Sequence, residues 1–307
     1  MAERLLIVGT GAMACWYAAR LAPHADVTLT GQWAEGLAAL RQNGVTLEQD
    51  GARSRYAVRV AGYGETLPHF RLALVLVKAY QSEVAAAALA PWVAPEGLAV
   101  TLQNGLGNLE VLAARLGPER VALGVTTAGA TLLAPGIVRE GGAGPTSIAN
   151  HPHCASLLQL LRSAGLPADL VDDALGLAWG KLAISAAVNP IAALLRVPNG
   201  GLLEPRARGA LQAAGMAMRE AEATAQAAGI HLPYEDAPAE LEAVLRRTAA
   251  NRASMLQDIE ARRATEVEAI NGAVVREAEK RGVPVPVNRV LLGLIRSLAV
   301  SPSGGEP

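Results

Sequence analysis

Two periods of apolar and polar residues divide the chain. In the first half, short apolar runs alternate with helical patterns. Leu5-Leu6-Ile7-Val8 forms the first run, and an apolar helical pattern follows through Leu21. Val27 to Thr30 reads as a second strand. Gly44 to Glu48 and Tyr56 to Val60 read as a hairpin or two short strands, with a turn at Gln49-Asp50-Gly51. Leu72 to Val77 is wholly apolar, as a strand buried on both faces requires. Gln81 to Leu89 is helical, Gly97 to Leu102 is a strand, and another helix runs to Leu116. Val121 to Val125 is again a strand. The Gly-rich stretch from Ile137 to Ala149 predicts antiparallel strands at the sheet edge. A helix over Ser156 to Ala164 and a strand over Ala168 to Val171 close this half. Strands alternating with helices predict a doubly wound parallel sheet.

After about Asp173 the strand signal stops. Helical periodicity covers 174–196, 203–229, 236–249, 258–281 and 287–298, punctuated by Asn199-Gly200-Gly201, Gly229 and Gly282. Pro190 is expected to kink or restart the first of these helices, because its ring clashes with the preceding turn. The predicted organisation is residues 1–172 as an α/β domain, 173–300 as an all-helical domain, and 301–307 as a flexible Gly/Pro/Ser-rich tail.

The junction after the first strand gives the α/β domain a task. Gly9-Thr10-Gly11-Ala12-Met13-Ala14 stands between a strand and a helix, which is the setting of the dinucleotide-binding fingerprint. Gly9 permits the turn, Gly11 lets the backbone approach a pyrophosphate, and Ala14 keeps helix and strand close. The helix N-terminus then offers unpaired N–H groups to phosphate. The first domain is therefore read as Rossmann-type.

Composition narrows the partners. The 307 residues are 51% apolar and carry a net charge of −1. With no block of Lys or Arg, neither nucleic acid nor an anionic membrane is an expected partner. Leu72 to Val77, the longest apolar run of the first half, is far too short to cross a bilayer. No charged segment followed by an apolar one precedes the first strand, so no signal peptide is read. Cys15 and Cys154 are the only cysteines, too few for a disulfide framework. A cytoplasmic protein is expected.

Several polar residues interrupt apolar stretches. Asn104-Gly105 follows one predicted strand and Lys78 follows another, at the strand ends where ligands bind in such sheets. A plain turn and a solvated loop lysine explain them equally well. Lys181, Ser185 and Asn189 recur every four residues, one polar stripe on an otherwise apolar helix. Such a lysine either snorkels to water or faces a cleft. Charged residues from Asn251 to Asn271 fit the wet face of a helix, and periodicity does not single out Glu266. His151-Pro152-His153-Cys154 lacks the spacing and the carboxylates of a metal site, so none is expected.

Together these residues resemble the ketopantoate reductase family. The resemblance is carried by Gly9-x-Gly11, Val77-Lys78-Ala79, Gln103-Asn104-Gly105-Leu106-Gly107, Trp179-Gly180-Lys181-Leu182-Ala183, Asn189-Pro190 and Pro198-Asn199-Gly200. Ser254-Met255-Leu256-Gln257-Asp258, Thr265-Glu266 and Ile270-Asn271-Gly272 extend it through most of the chain. The resemblance implies that Lys181 donates a proton to the substrate carbonyl and that Glu266 lies by the nicotinamide and substrate. It implies cofactor contacts from Lys78, Asn104 and Ala130. Substrate contacts fall to Lys181, Ser185, Asn189, Asn199, Asn251 and Ser254.

Two positions depart from the family pattern. Ser185 stands where many members have Asn. Thr30-Gly31-Gln32-Trp33 lacks the arginine that meets the 2′-phosphate of NADPH, and no acidic residue replaces it. NADPH is still the expected cofactor, with NADH not excluded. The implied reaction is reduction of 2-dehydropantoate to pantoate by a monomer or homodimer. The alternatives are a reductase of another 2-oxo acid and a non-catalytic dinucleotide-binding sensor. Ser254 and Glu266 would lie about 18 Å apart on one straight helix. A shared site therefore requires the chain to bend between them or the cofactor and substrate to lie along the helix; a break or a helix start near Ser254–Asp258 is expected. Ser254 with Gln257 fits a capping box at such a start.

Overall fold

The computed structural model describes residues 3–142 and 144–299. The predicted tail over 301–307 lies outside them. Contacts divide the described residues into two compact units. One runs to Gln103 and resumes over 108–174; the other takes 104–107 and everything from Leu175 onward.

The first unit contains β1 (Arg4–Val8), α1 (Ala12–Leu21), β2 (Asp26–Gly31), α2 (Ala34–Asn43), β3 (Val45–Gln49), β4 (Ala52–Tyr56) and β5 (Arg59–Gly62). It continues with β6 (Phe70–Val75), α3 (Ser82–Leu89), β7 (Val93–Thr101), α4 (Asn108–Leu116), β8 (Val121–Thr126) and β9 (Gly129–Ala134). It closes with β10 (Ile137–Gly142), β11 (Thr146–Ala149), α5 (Ala155–Ser163) and β12 (Ala168–Val171). The main sheet has eight strands in the order β12-β11-β8-β7-β6-β1-β2-β5. All neighbours from β5 to β8 are parallel, and β11 joins β8 antiparallel. The order reverses at β1, between β2 and β6, which is the switch point where such sheets bind ligands.

The hairpin expected about Gln49-Asp50-Gly51 is present in a second sheet, β4-β3-β10-β9, but its second strand is not the Tyr56–Val60 run. The partner of β3 is Ala52–Tyr56, while Arg59–Gly62 leaves to pair with β2 in the main sheet. Every residue of β4 except Tyr56 is exposed, so an edge strand of this kind has no hydropathy signal. The helix α2 is also absent from the sequence reading, because its polar residues and central Gly36 mask the period. The helix α1 packs on both the main and the small sheet. Its Trp16 Nε1 donates to Glu140 Oε2 on β10 at 2.7 Å, and Tyr17 hydroxyl meets Thr146 Oγ1 at 2.7 Å. Ala14, Cys15, Tyr17 and Ala18 are fully buried with Leu5, Ile7 and Leu74.

The second unit contains α6 (Ala174–Leu195), α7 (Arg208–Ala227), α8 (Ala237–Arg247), α9 (Ser254–Glu260), α10 (Asn271–Glu279) and α11 (Pro286–Leu298). No strand occurs among its described residues. Its core joins Ala183, Ala186 and Ala187 of α6 with Ala214, Ala217 and Ala221 of α7, and with Leu241, Leu245, Leu256 and Ile295. Alanine faces let helices approach closely, which accounts for an ordered core with few aromatics. By length and composition α6 could cross a membrane, but 67% of its most apolar window is buried in the protein.

Three helix predictions need correction here. The helix expected over 258–281 is two helices separated by a non-helical turn over 261–270, entered through Arg262 at φ +53°. The helix expected from 203 begins at Arg208, after 3-10 turns at Asn199–Leu203 and Pro205–Ala207. The helix α6 neither stops nor restarts at Pro190 but runs through it.

Candidate functional site

The glycine turn has the geometry of a phosphate cradle. Gly9 has φ +134°, and its N–H donates to Thr30 carbonyl oxygen at 2.7 Å. A Cβ there would lie 3.1 Å from the Leu76 carbonyl group and 3.2 Å from the Ala14 Cβ. Side chains are thus excluded where β1, β6 and α1 converge. Gly11 is the N-cap of α1 and offers no side chain to its amides. The first-turn N–H groups therefore keep their capacity for an anion. Thr10 and Ala14 are buried, while Gly11, Ala12 and Met13 are half-buried. The residues fit a pyrophosphate.

Lys78 and Ala130 belong to the same unit. Lys78 stands three residues beyond β6, where its backbone N–H donates to Gln81 Oε1 at 3.2 Å. Gln103, which the sequence singles out only as part of a motif, organises the strand ends. Its Nε2 donates to Val77 carbonyl oxygen at 3.0 Å and to Ser82 Oγ at 2.8 Å. Ala130 is half-buried on β9, opposite Glu140. It lies in the small sheet, beside residues packed on the α1 core.

The second unit gathers the other residues. Asn104 follows β7 of the first unit in sequence but packs in the second. Its Nδ2 donates to Glu266 Oε2 at 3.1 Å. Leu106 N–H donates to Ala269 carbonyl oxygen at 3.1 Å. Between them Gly105 has φ +81°, and a Cβ would fall 2.3 Å from that same carbonyl oxygen. Glycine is thus required for the Asn104 segment to lie along the Glu266 turn. Glu266 is 6% exposed; its carbonyl oxygen accepts the Ala269 and Ile270 amides at 3.0 Å each.

Lys181 stands on α6 within the field of that carboxylate. Burial pulls its ammonium down from the ordinary 10.5 to about 8, against the Glu266 charge, which raises it. Lys181, Ser185 and Asn189 are half-buried, whereas Leu182, Ala183, Ala186, Ala187 and Val188 are buried. The polar stripe is therefore the partly open face of a core helix. A lysine of this basicity holds its proton at neutral pH and releases it easily to a developing alkoxide.

Asn199 and Asn251 come together through the backbone. Asn199 N–H donates to Asn251 carbonyl oxygen at 2.9 Å, and Asn199 Nδ2 donates to Thr248 Oγ1 at 2.9 Å. Thr248 carries no signal in the sequence beyond its place in a helix end. Asn251 itself is exposed. Ser254 is half-buried at the first turn of α9, and α9 ends before the turn that bears Glu266. The expected break is present. The capping box is not: Ala253 is the N-cap, and Gln257 Nε2 donates backward to Arg252 carbonyl oxygen at 2.9 Å.

A Rossmann-type sheet opening on a glycine turn, with a helical unit holding a lysine, a glutamate and an asparagine, defines a class of dinucleotide-dependent oxidoreductases. The comparisons narrow it. The family model "Ketopantoate reductase PanE/ApbA" matches residues 5–153, and its C-terminal counterpart matches 173–299. The chain belongs to the ketopantoate reductase family, whose members are oxidoreductases acting on a CH–OH group. The 2-dehydropantoate 2-reductase of Halobacterium salinarum is 33% identical over 301 residues, covering 95% of this chain and 98% of the relative. The crystal structure of a PanE/ApbA family ketopantoate reductase from Ralstonia eutropha JMP134 superposes with TM-score 0.89 at 29% identity, over 96% of this chain and 98% of that one. A ternary complex of D-mandelate dehydrogenase with NADH and anilino(oxo)acetate has the same fold, with TM-score 0.91 at 24% identity over 96% and 98% of the two chains.

Proposed function

We propose that this protein reduces 2-dehydropantoate to pantoate with NADPH, the reaction that leads toward pantothenate and coenzyme A. The observation carrying this reading is the Lys181–Glu266–Asn104 cluster beside the half-open stripe of α6. It lies in a chain that the two family models match over residues 5–153 and 173–299.

Gly9, Thr10, Gly11, Ala12, Met13 and Ala14 would hold the cofactor pyrophosphate, with Lys78, Asn104 and Ala130 as further contacts. When bound, the nicotinamide supplies the hydride for C2 of the oxo acid. Lys181 polarises the carbonyl, holds the growing negative charge and transfers its proton to the oxygen. Glu266 keeps that ammonium protonated and orients Asn104 through their shared hydrogen bond. Ser185, Asn189, Asn199, Asn251 and Ser254 would supply neutral hydrogen bonds to the substrate. The retained proton donor speaks against a sensor without turnover. Two free, buried cysteines suit the reducing cytoplasm.

Another 2-oxo acid is the second reading, favoured by Ser185, whose hydroxyl reaches less far than the Asn of many relatives. D-mandelate dehydrogenase shares the fold and is seen with NADH and a 2-oxo acid derivative. Gln32, half-buried just past β2, brings only neutral donors to a 2′-phosphate. The NADPH preference is therefore expected to be narrower than an arginine would give. Oxidation of NADPH and of NADH, followed at 340 nm with 2-dehydropantoate and a panel of other 2-oxo acids, tests both readings. The highest kcat/KM with 2-dehydropantoate and NADPH is expected. A higher value for another oxo acid would establish the second reading.

A further inference from the structure

The residue following the Glu266 turn has a partner that the sequence of α6 creates. Pro190 lies inside α6 and has no N–H, so the Ala186 carbonyl four residues earlier loses its helical donor. Ala186 is fully buried, and no water replaces that donor cheaply. Asn271 fills the vacancy: its Nδ2 donates to Ala186 carbonyl oxygen at 3.0 Å. Asn271 is fully buried at the first position of α10, five residues after Glu266.

The amide is held from behind. Asn271 Nδ2 also donates to Asn288 Oδ1 at 3.0 Å. Asn288, itself fully buried, donates through Nδ2 to Ala217 carbonyl oxygen at 2.9 Å and to Glu220 Oε2 at 2.8 Å. Glu220 on α7 also accepts the Val287 and Asn288 backbone amides of α11 at 2.8 and 2.9 Å. A chain of polar groups thus runs from α7 and α11 through Asn271 to the one carbonyl of α6 that Pro190 exposes.

We propose that Asn271 is a positioning residue for the Lys181–Glu266 pair. Ala186 adjoins Ser185 and lies five residues after Lys181, while Asn271 is fastened to the Glu266 turn by backbone. The Ile270 N–H donates to Glu266 carbonyl oxygen at 3.0 Å, and the Gly272 N–H donates to Val267 carbonyl oxygen at 2.9 Å. One side-chain amide therefore stands in for the missing proline N–H and fixes the helix bearing Lys181 against the turn bearing Glu266. The role of the bond in positioning catalysis rests on the function proposed above; the bond as a substitute for the proline amide does not.

A double-mutant cycle separates the two. Asn271→Ala, Pro190→Ala and the double variant are compared by thermal melting without ligands and by steady-state kinetics with NADPH and 2-dehydropantoate. Pro190→Ala returns an N–H to the Ala186 carbonyl. Asn271→Ala should lower Tm and lower kcat at least tenfold, leaving KM for NADPH within about twofold. The same substitution in the Pro190→Ala background should lose markedly less in both. Rescue by a distant backbone N–H is not expected of a residue that only fills space. Equal losses in both backgrounds would overturn the proposal, as would a double variant that fails to fold when Asn271→Ala also fails. Rescue of Tm with kcat unchanged throughout would confirm the amide substitution and overturn the positioning role. Absence of 2-dehydropantoate turnover in the unsubstituted protein would overturn the functional reading and leave the melting result to stand alone.

Discussion

Lys181 shows how one residue acquires a function from its surroundings. Its stem is flanked by the buried Leu182, Ala183 and Ala178, and its ammonium is both desolvated and close to a carboxylate. Desolvation dominates, so its pKa falls to about 8 while Glu266 limits the fall. Reduction needs the protonated amine, so turnover should decline as pH rises through about 8. Glu266→Gln removes the charge that raises this pKa, and the alkaline limb of the kcat/KM profile should move to lower pH. A limb that stays in place would show that Glu266 does not act on Lys181. Lys181→Ala removes proton donor and cation together. Turnover should then fall by about 10²–10⁴-fold, the usual contribution of a placed acid. NADPH affinity, measured by fluorescence titration, should persist because the turn at Gly9 is untouched.

At the scale of elements, the segment 104–107 has the most consequence. Local sequence reads it as a turn after a strand, yet it packs with the unit that follows 70 residues later. Its attachment depends on Gly105, whose positive φ and 2.3 Å approach to the Ala269 carbonyl leave no room for a side chain. Gly105→Ala should cost at least about 1–3 kcal/mol from backbone strain alone. It should also displace Asn104 from Glu266, and so lower kcat more than Gly107→Ala, where φ is likewise positive but nothing lies within 4 Å of the added Cβ. Denaturant melts and kinetics on the two variants make the comparison, and equal losses would place the effect in the backbone and not in the contact. The break between α9 and α10 works similarly. It lets Ala264, Thr265, Glu266 and Val267 be buried in succession, which one face of a continuous amphipathic helix over 258–281 could not do.

Across the described residues there are three apolar cores, two built on alternate residues of β1 and one in the helical unit, and a bound cofactor would add to the stability they provide. A cofactor that binds the folded first unit at about a hundred times its Kd adds roughly 2.7 kcal/mol by mass action. Hydrogen exchange with saturating NADPH should therefore slow most at the amides of β1, α1 and β6, and least in α8. Protection confined to the second unit would contradict the assignment of the cofactor to the Gly9 turn.

Much of this architecture was legible from the sequence because its signals are local. The buried parallel strands are short apolar runs, the turn at Gly9 is a fixed spacing of small residues, and the helical unit keeps its period through α6 and α11. The stripe of Lys181, Ser185 and Asn189 was visible for the same reason, since four-residue spacing is set by helix geometry. Tertiary structure decided what no local pattern encodes. It sent Arg59–Gly62 to the main sheet and gave its expected place to the exposed β4. It split 258–281, because burying Glu266 against Asn104 and holding Asn271 on Ala186 outweighs the helical preference of the segment. It also separated Glu266 from Glu260 and Glu268: one is buried beside Lys181 while the others are exposed, a distinction in desolvation that periodicity cannot express. Local sequence determines which conformations are cheap, but a carboxylate or a carbonyl removed from water needs a partner, and only the fold determines which distant residue supplies it.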